Sequence, residues 1–427
     1  MDKYELTTLS GGEQVVSERI GSVRSVALGF WIGTGSRDEP TARAGVSHFI
    51  EHLLFKGSSS YDARQIAETF DALGGDLNAA TSRETTVVYA RVPDDRVETA
   101  LDVMADMVFR PQFADLDAER EVVLEEIAMV EDNPQDLVHD LAAAAVFGAH
   151  PLGRPVIGSA DVISTVSRRA LRSYHGGAYV GGNIVVSAAG NLEHARLLDL
   201  ISTRVHGTER DLRQTRKPAG RPPRPGVRFQ QKDTEQYHVC LAAPGIRRDD
   251  ERRYAASLLD AIVGGSASSR LFQEIREKRG MAYSVYTYGS QYADSGLVGL
   301  YVGTREENLG ECLEIATAEL VDVASGTLRA GELERAKENV KGRLLLSLES
   351  TSSRMTRLGK AVVTGTTIRS VDETIARVEA VTAADIAALA GDLLAPDGLS
   401  AAGIGPSEER FRAAVERVNP GALVRAA

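Results

Sequence analysis

The sequence predicts an α+β protein built from two structurally similar halves, each a mostly antiparallel sheet with helices packed on it. Three observations lead there. Short runs rich in β-branched and apolar residues alternate with longer stretches of helical periodicity. A Pro- and Arg-rich stretch divides the 427-residue chain near its middle. Patterns from before that stretch return after it at offsets near 210.

Strands are expected at Val15–Arg19, Val23–Trp31 and Thr85–Val92. Between the second and third lie a helix around His48 and another at Asp62–Leu73, which stops at Gly74–Gly75. Asp76–Ala80 then reads as a short extended piece beside the glycine turn. Arg96–Phe109 is amphipathic, with Val97, Leu101, Met104 and Val108 on one side and Pro111 after its end. Asp115–Glu131 is a long helix, and helical pattern continues through Leu137–Val146. The run from His150 to Pro155 is a loop, Ser167–Tyr174 begins a helix, and Asn183–Ala189 is a strand ending at Gly190.

Residues 206–226 change character. They carry Pro218, Pro222, Pro223 and Pro225 among six basic residues, the composition of an extended, solvated linker. Beyond it, VALGFWIGTGSRDE at Val26 is echoed by YHVCLAAPGIRRDD at Tyr237, so Gly35 matches Gly245 (245 − 35 = 210). The segment from Val166 is echoed from Val381 (381 − 166 = 215). The expected organisation is therefore 1–205, a linker at 206–226, and a duplicate at 227–427.

Composition excludes some functions. A net charge of −11 argues against a nucleic-acid partner and mildly favours cationic peptides. Cys240 and Cys312 each lie in an apolar periodic segment, as buried free thiols do. The sequence opens without the apolar core of a signal peptide, and no apolar run is long enough to span a membrane. A cytoplasmic location is the expectation.

The stretch AGVSHFIEHLLFKG carries the chemistry. His48 and His52 lie four apart, so a helix presents both rings on one face, and Glu51 borders them. Two imidazoles and an adjacent carboxylate can hold a metal and take a proton from its water. With 8 histidines in 427 residues, this order is expected by chance on the order of 0.01 times. The motif is the inverzincin order H-x-x-E-H. At offset 208 the three fall on Ala256, Leu259 and Asp260, so the duplicate lacks the ligands and its helix packs without them. A hydrolytic zinc site needs a third protein ligand. In the long helix, Glu126 sits among Val122, Val123 and Val130, within the expected core-facing stripe, where a carboxylate needs a cation. Glu119, two turns earlier on that face, is placed to orient a histidine. Glu121, Glu125 and Glu131 read as surface residues.

HFIEH followed by EREVVLEE, whose last glutamate lies 74 positions after the second histidine (126 − 52), resembles the pitrilysin or insulinase family of zinc peptidases. The chain looks most like the bacterial processing-protease-like subgroup related to the mitochondrial processing peptidase β-subunit. GGDLNAATSRETT, HPLGRPVIGS and SSRLFQEIREKRGMAYSV extend the likeness over essentially the whole chain. The resemblance implies His48, His52 and Glu126 as ligands of one zinc ion per chain, Glu51 as general base and Glu119 as a supporting glutamate. It implies that Asn78 and Ala79 lie on an edge strand that aligns substrate. It also implies that Arg276 and Tyr283, in the non-zinc half, contact substrate near the scissile bond. From their own sequence context Arg276 reads as a surface salt-bridging residue and Tyr283 as a half-buried aromatic.

The implied activity is zinc-dependent endopeptidase cleavage of short or unfolded peptides. Similar proteins enclose substrate between four such halves, so a homodimer is implied, with the Arg276/Tyr283 pair supplied by the partner. The alternative is a non-catalytic assembly subunit on the same fold. Ligand type alone would also admit Mn²⁺ or Co²⁺.

Overall fold

Residues 4–205, 216–220 and 224–423 are described by a computed structural model of the chain, and they form two sheets of matching topology. Most of the expected linker, 206–215 and 221–223, lies outside the described residues. The first sheet contains β1 (Tyr4–Thr8), β2 (Gln14–Arg19), β3 (Ser25–Ile32), β4 (Asp76–Thr81), β5 (Thr86–Pro93) and β6 (Ile184–Gly190), in the order β1-β2-β6-β3-β5-β4. The second contains β7 (Val227–Gln231), β8 (Tyr237–Gly245), β9 (Ala282–Gln291), β10 (Gly296–Thr304) and β11 (Ser400–Gly405), in the order β7-β11-β8-β10-β9. In each sheet one pair is parallel, β2 with β6 and β7 with β11, and the remaining pairs are antiparallel. The two orders coincide strand for strand once β1 is set aside. The duplicated α+β architecture expected from the sequence is therefore the fold.

Strand β1 was not among the expected elements. It is an edge strand with mostly exposed side chains, so it buries too little to print a clear apolar alternation.

In the first sheet the core face is covered by α1 (Val46–Leu54), α2 (Ala63–Leu73), α3 (Val97–Phe109) and α4 (Leu116–Asp132). The chain divides into two units, and neither is one contiguous stretch. One comprises Met1–Ala128, Pro155–Lys217 and Leu345–Val371; the other comprises Met129–Arg154, Pro218–Leu344 and Asp372–Ala427. The first unit thus includes the late helix Thr351–Val363, whose Met355 and Leu358 pack on Val16, Ala27, Trp31 and Val185 of its sheet. The second includes the early helix α5 (Pro134–Phe147), whose Val138, Ala142 and Val146 pack on Cys240, Ala242 and Ile404. Both cysteines are buried and free. No helix among the described residues is long and apolar enough to cross a membrane.

Candidate metal centre

Helix α1 is fixed at its start by a carboxylate. Glu39 accepts the main-chain N–H groups of Gly45 and Ser47, each at 2.7 Å. An anion there satisfies donors that the first turn leaves unpaired. Gly45 has φ 95°, and a Cβ on it would come within 2.5 Å of the Ile157 carbonyl oxygen. Only glycine fits, so the loop bearing Ile157 and Gly158 can seat against the helix start. Below that start, Phe49, Ile50, Leu53 and Leu54 are fully buried, while His48, Glu51 and His52 are half-buried along one strip.

Helix α4 brings the other groups. Its buried residues are Leu116, Glu119, Val123 and Ile127. The core stripe is therefore narrower than the sequence suggested, and Val122, expected inside it, is 50% exposed. Glu126 stands at the margin of that stripe, with its side chain 41% exposed. From there its Oε2 lies 3.3 Å from His52 Nε2 and 3.7 Å from His48 Nε2. One nitrogen from each ring and one carboxylate oxygen all lie within 4.8 Å of one another, and this is the sole such cluster of three among the described residues.

The donor set fits a metal ion. His52 Nδ1 is 2.9 Å from Glu119 Oε1. A carboxylate only accepts, which assigns the proton to Nδ1 and leaves the Nε2 lone pair facing Glu126. Glu119 is buried, and its other oxygen takes Lys56 Nζ at 2.7 Å. Burial holds His48 down at a pKa of about 4, so that ring is neutral and has a lone pair to offer. Its Nδ1 is buried with no hydrogen-bond partner among the described residues. The His52 lone pair, the Nε2 of His48 and a carboxylate oxygen thus face one another, a donor set that a cation would draw together once His48 carries its proton on Nδ1. Ligands each ~2.0–2.2 Å from one zinc ion lie at most ~4.4 Å apart, so small side-chain rotations bring all three to one ion.

Glu51 sits beside this cluster without joining it. Burial raises its pKa, and a hydrogen bond from Thr81 partly opposes the shift. The Thr81 hydroxyl donates to Glu51 Oε2 at 2.5 Å. Sequence reasoning missed Thr81 and Lys56. Lys56 carried a local signal, four positions after His52 in the turn that follows α1. Thr81 carried none, because its contact with Glu51 joins separate elements.

The expected substrate-contact residues are distributed as follows. Asn78 and Ala79 lie on β4, the outermost strand of its sheet, paired only with β5 among the described residues. Ala79 is buried, whereas the Asn78 side chain is exposed and accepts the Ala79 N–H at 2.8 Å. Arg276 and Tyr283 belong to the second unit and meet there. The guanidinium carbon of Arg276 is 4.4 Å from the Tyr283 ring centroid and 4.6 Å from that of Phe272, within cation–π range. Gly280, at φ 62°, makes the turn that returns the chain onto Arg276. Tyr283 is 75% exposed, so it is not the half-buried aromatic that its sequence context suggested. Upstream, Arg270 is buried and grips Glu332 with two nitrogens, at 2.8 and 2.7 Å, and Glu319 at 3.2 Å. That network anchors the segment that presents Arg276.

A family model described as Insulinase (Peptidase family M16) matches residues 14–160, and one described as Peptidase M16 inactive domain matches residues 165–340. An uncharacterized zinc protease of Streptomyces coelicolor is 42% identical over 401 residues, covering 91% of this chain and 86% of that protein. One from Bacillus subtilis is 40% identical over 400 residues, covering 91% and 95%. A solved protease from Helicobacter pylori shares the fold with a TM-score of 0.87 at 20% identity, covering 95% of this chain and all of that one (100%). A structure from Pseudomonas fluorescens described as a peptidase M16 inactive domain gives 0.88 at 22%, covering 95% and 98%.

Proposed function

The chain belongs to the insulinase (M16) family of peptidases, and on that premise we propose that it is a zinc endopeptidase acting on short or unfolded peptides. The observation that carries this reading is the convergence of His48, His52 and Glu126. These three would hold one zinc ion per chain. Zinc so held lowers the pKa of a coordinated water toward ~7 and supplies positive charge beside a substrate carbonyl.

The chain's own residues supply the rest. Glu51 takes the proton of the attacking water and passes it to the leaving amine; the burial that raises its pKa suits it to both transfers. Glu119 keeps His52 in the tautomer that donates through Nε2. The open edge of β4, around Asn78 and Ala79, takes the peptide as an added strand, so main-chain pairing gives binding tolerant of sequence. Tyr283 and Arg276 stabilise the carbonyl oxygen and the substrate backbone.

The resemblance to enzymes that close a chamber from four halves supports a homodimer in which Arg276 and Tyr283 act in trans. Zinc content, together with chelator-sensitive cleavage of an unstructured peptide that Glu51→Gln abolishes, tests the central reading. A zinc-free protein, or Glu51→Gln as active as wild type, refutes it and favours a non-catalytic assembly subunit. Mixing Glu51→Gln with Tyr283→Phe protomers tests the dimer, since activity must return in the mixture if the pair acts in trans.

A further inference from the structure

Glu51 is held from the strand that, on the reading above, receives the peptide. Thr81 is the last residue of β4, and its hydroxyl donates to the Glu51 carboxylate. Burial alternates along β4. Leu77, Ala79 and Thr81 are wholly or partly buried, while Asp76, Asn78 and Ala80 are exposed. The strand therefore turns its Thr81 side to α1 and leaves its outer edge unpaired by any described strand.

We propose that Thr81 is the positioning residue for Glu51, and that through it a peptide added along β4 aligns the base with the bond to be cut. A strand end carries freedom that pairing along its outer edge removes. Fixing β4 fixes the Thr81 hydroxyl, and the hydroxyl fixes one oxygen of the carboxylate. The other oxygen is left to face water. A general base must meet its proton within hydrogen-bond reach, so a swing of about an ångström costs rate without costing binding.

The second unit shows that this tether belongs to the scaffold. There Thr287, on edge strand β9, donates to Asp260 Oδ1 at 2.6 Å. Asp260 lies on helix Arg253–Val263, one position beyond the equivalent of Glu51 (51 + 208 = 259). No metal-binding cluster accompanies it among the described residues. The link between helix and edge strand therefore serves structure in both units, and in the first its carboxylate is the proposed base. A test must separate the two roles.

The proposal rests on the peptidase reading, and the experiment distinguishes their failures. Thr81→Val, Thr81→Ser and Glu51→Gln are compared with wild type in zinc content, melting temperature, and kcat and KM on unstructured peptides of graded length. Thr81→Val should keep its zinc and its KM within about twofold while kcat falls roughly 10- to 100-fold. Thr81→Ser should restore kcat to within about threefold. In wild type kcat should rise with peptide length as more of β4 is paired, and in Thr81→Val that dependence should flatten. A Thr81→Val enzyme with wild-type kcat, one whose loss Ser does not rescue, one that loses zinc, or one that keeps the length dependence overturns the proposal while Glu51→Gln remains inactive. If Glu51→Gln is itself fully active, the peptidase reading falls and the proposal falls with it.

Discussion

Replacing Glu119 should weaken zinc binding in two graded steps, although Glu119 is not among the three converging ligands. Its side chain is 7% exposed, with one oxygen 2.9 Å from His52 Nδ1 and the other 2.7 Å from Lys56 Nζ. Glu119→Gln keeps the shape and one acceptor but removes the charge. A hydrogen bond to a charged group contributes about 1.5–3 kcal/mol and a neutral one about 0.5–1.5. The difference of about 1.4 kcal/mol is about tenfold in dissociation constant. Glu119→Ala removes both contacts, frees the ring to rotate and adopt either tautomer, and leaves Lys56 facing a cavity; outer partners of metal-bound histidines are worth about 10- to 100-fold in affinity. Metal-stripped proteins titrated with zinc against a chromophoric chelator should therefore rank wild type tightest, Gln next and Ala weakest. Melting temperatures of the same metal-free samples separate lost affinity from lost fold. Equal affinity in wild type and Glu119→Ala would refute the role assigned to this side chain.

Other consequences follow from single buried groups. His175 is buried, its Nε2 lies 2.9 Å from the Val108 carbonyl oxygen, and burial pushes its pKa down to about 4 from the ordinary 6.5. The unfolded chain therefore takes up this proton first, so the stability it confers is complete above pH ~6.5 and lost as pH falls toward ~4, about 3 kcal/mol in all. Urea midpoints of the metal-free protein should fall more steeply with acid in wild type than in His175→Phe; parallel curves would contradict this. Arg270→Met strips the buried Glu332 of its guanidinium and leaves it the Arg329 main-chain N–H at 2.9 Å, while Glu319 keeps Arg329 at 2.6 Å. The loss should be about 3 kcal/mol in denaturant unfolding, at the low end for a broken buried pair. Glu51→Leu, which installs the residue type found at 259 in the duplicate, should raise the stability of the metal-free protein by about 1 kcal/mol while abolishing peptide cleavage. A lower melting temperature would count against it.

What could be read from the sequence was what depends on near neighbours. His48, Glu51 and His52 share one helical face, so their convergence needs no knowledge of the fold. The duplication was visible because each strand and helix kept its place in the order, and the sheets follow it from β2 and β7 onward. The setting of Glu126 was misjudged because a helix's buried stripe depends on what it packs against. Val122 resembles a core residue in composition yet is half exposed. The assignment of α5 to the second unit and of helix Thr351–Val363 to the first was equally hidden, since an amphipathic pattern does not say which sheet it will cover. Thr81 follows the same rule: its contact with Glu51 spans 30 positions and two elements.

The two units pose one physical problem and meet it differently. Each sets a helix beside an edge strand with polar groups at the margin of an apolar core. In the second unit the positions equivalent to His48 and His52 hold Ala256 and Asp260; burial raises the pKa of Asp260, and the Thr287 hydroxyl and the charge of Arg343 partly oppose that shift. In the first unit two rings and Glu126 face one another, and Nδ1 of His48 is buried without a partner among the described residues. Polar groups so placed cost several kcal/mol unless something neutralises them. The duplicate demonstrates that the fold does not require them, and a bound cation, as proposed above, would supply the neutralisation that the described residues do not.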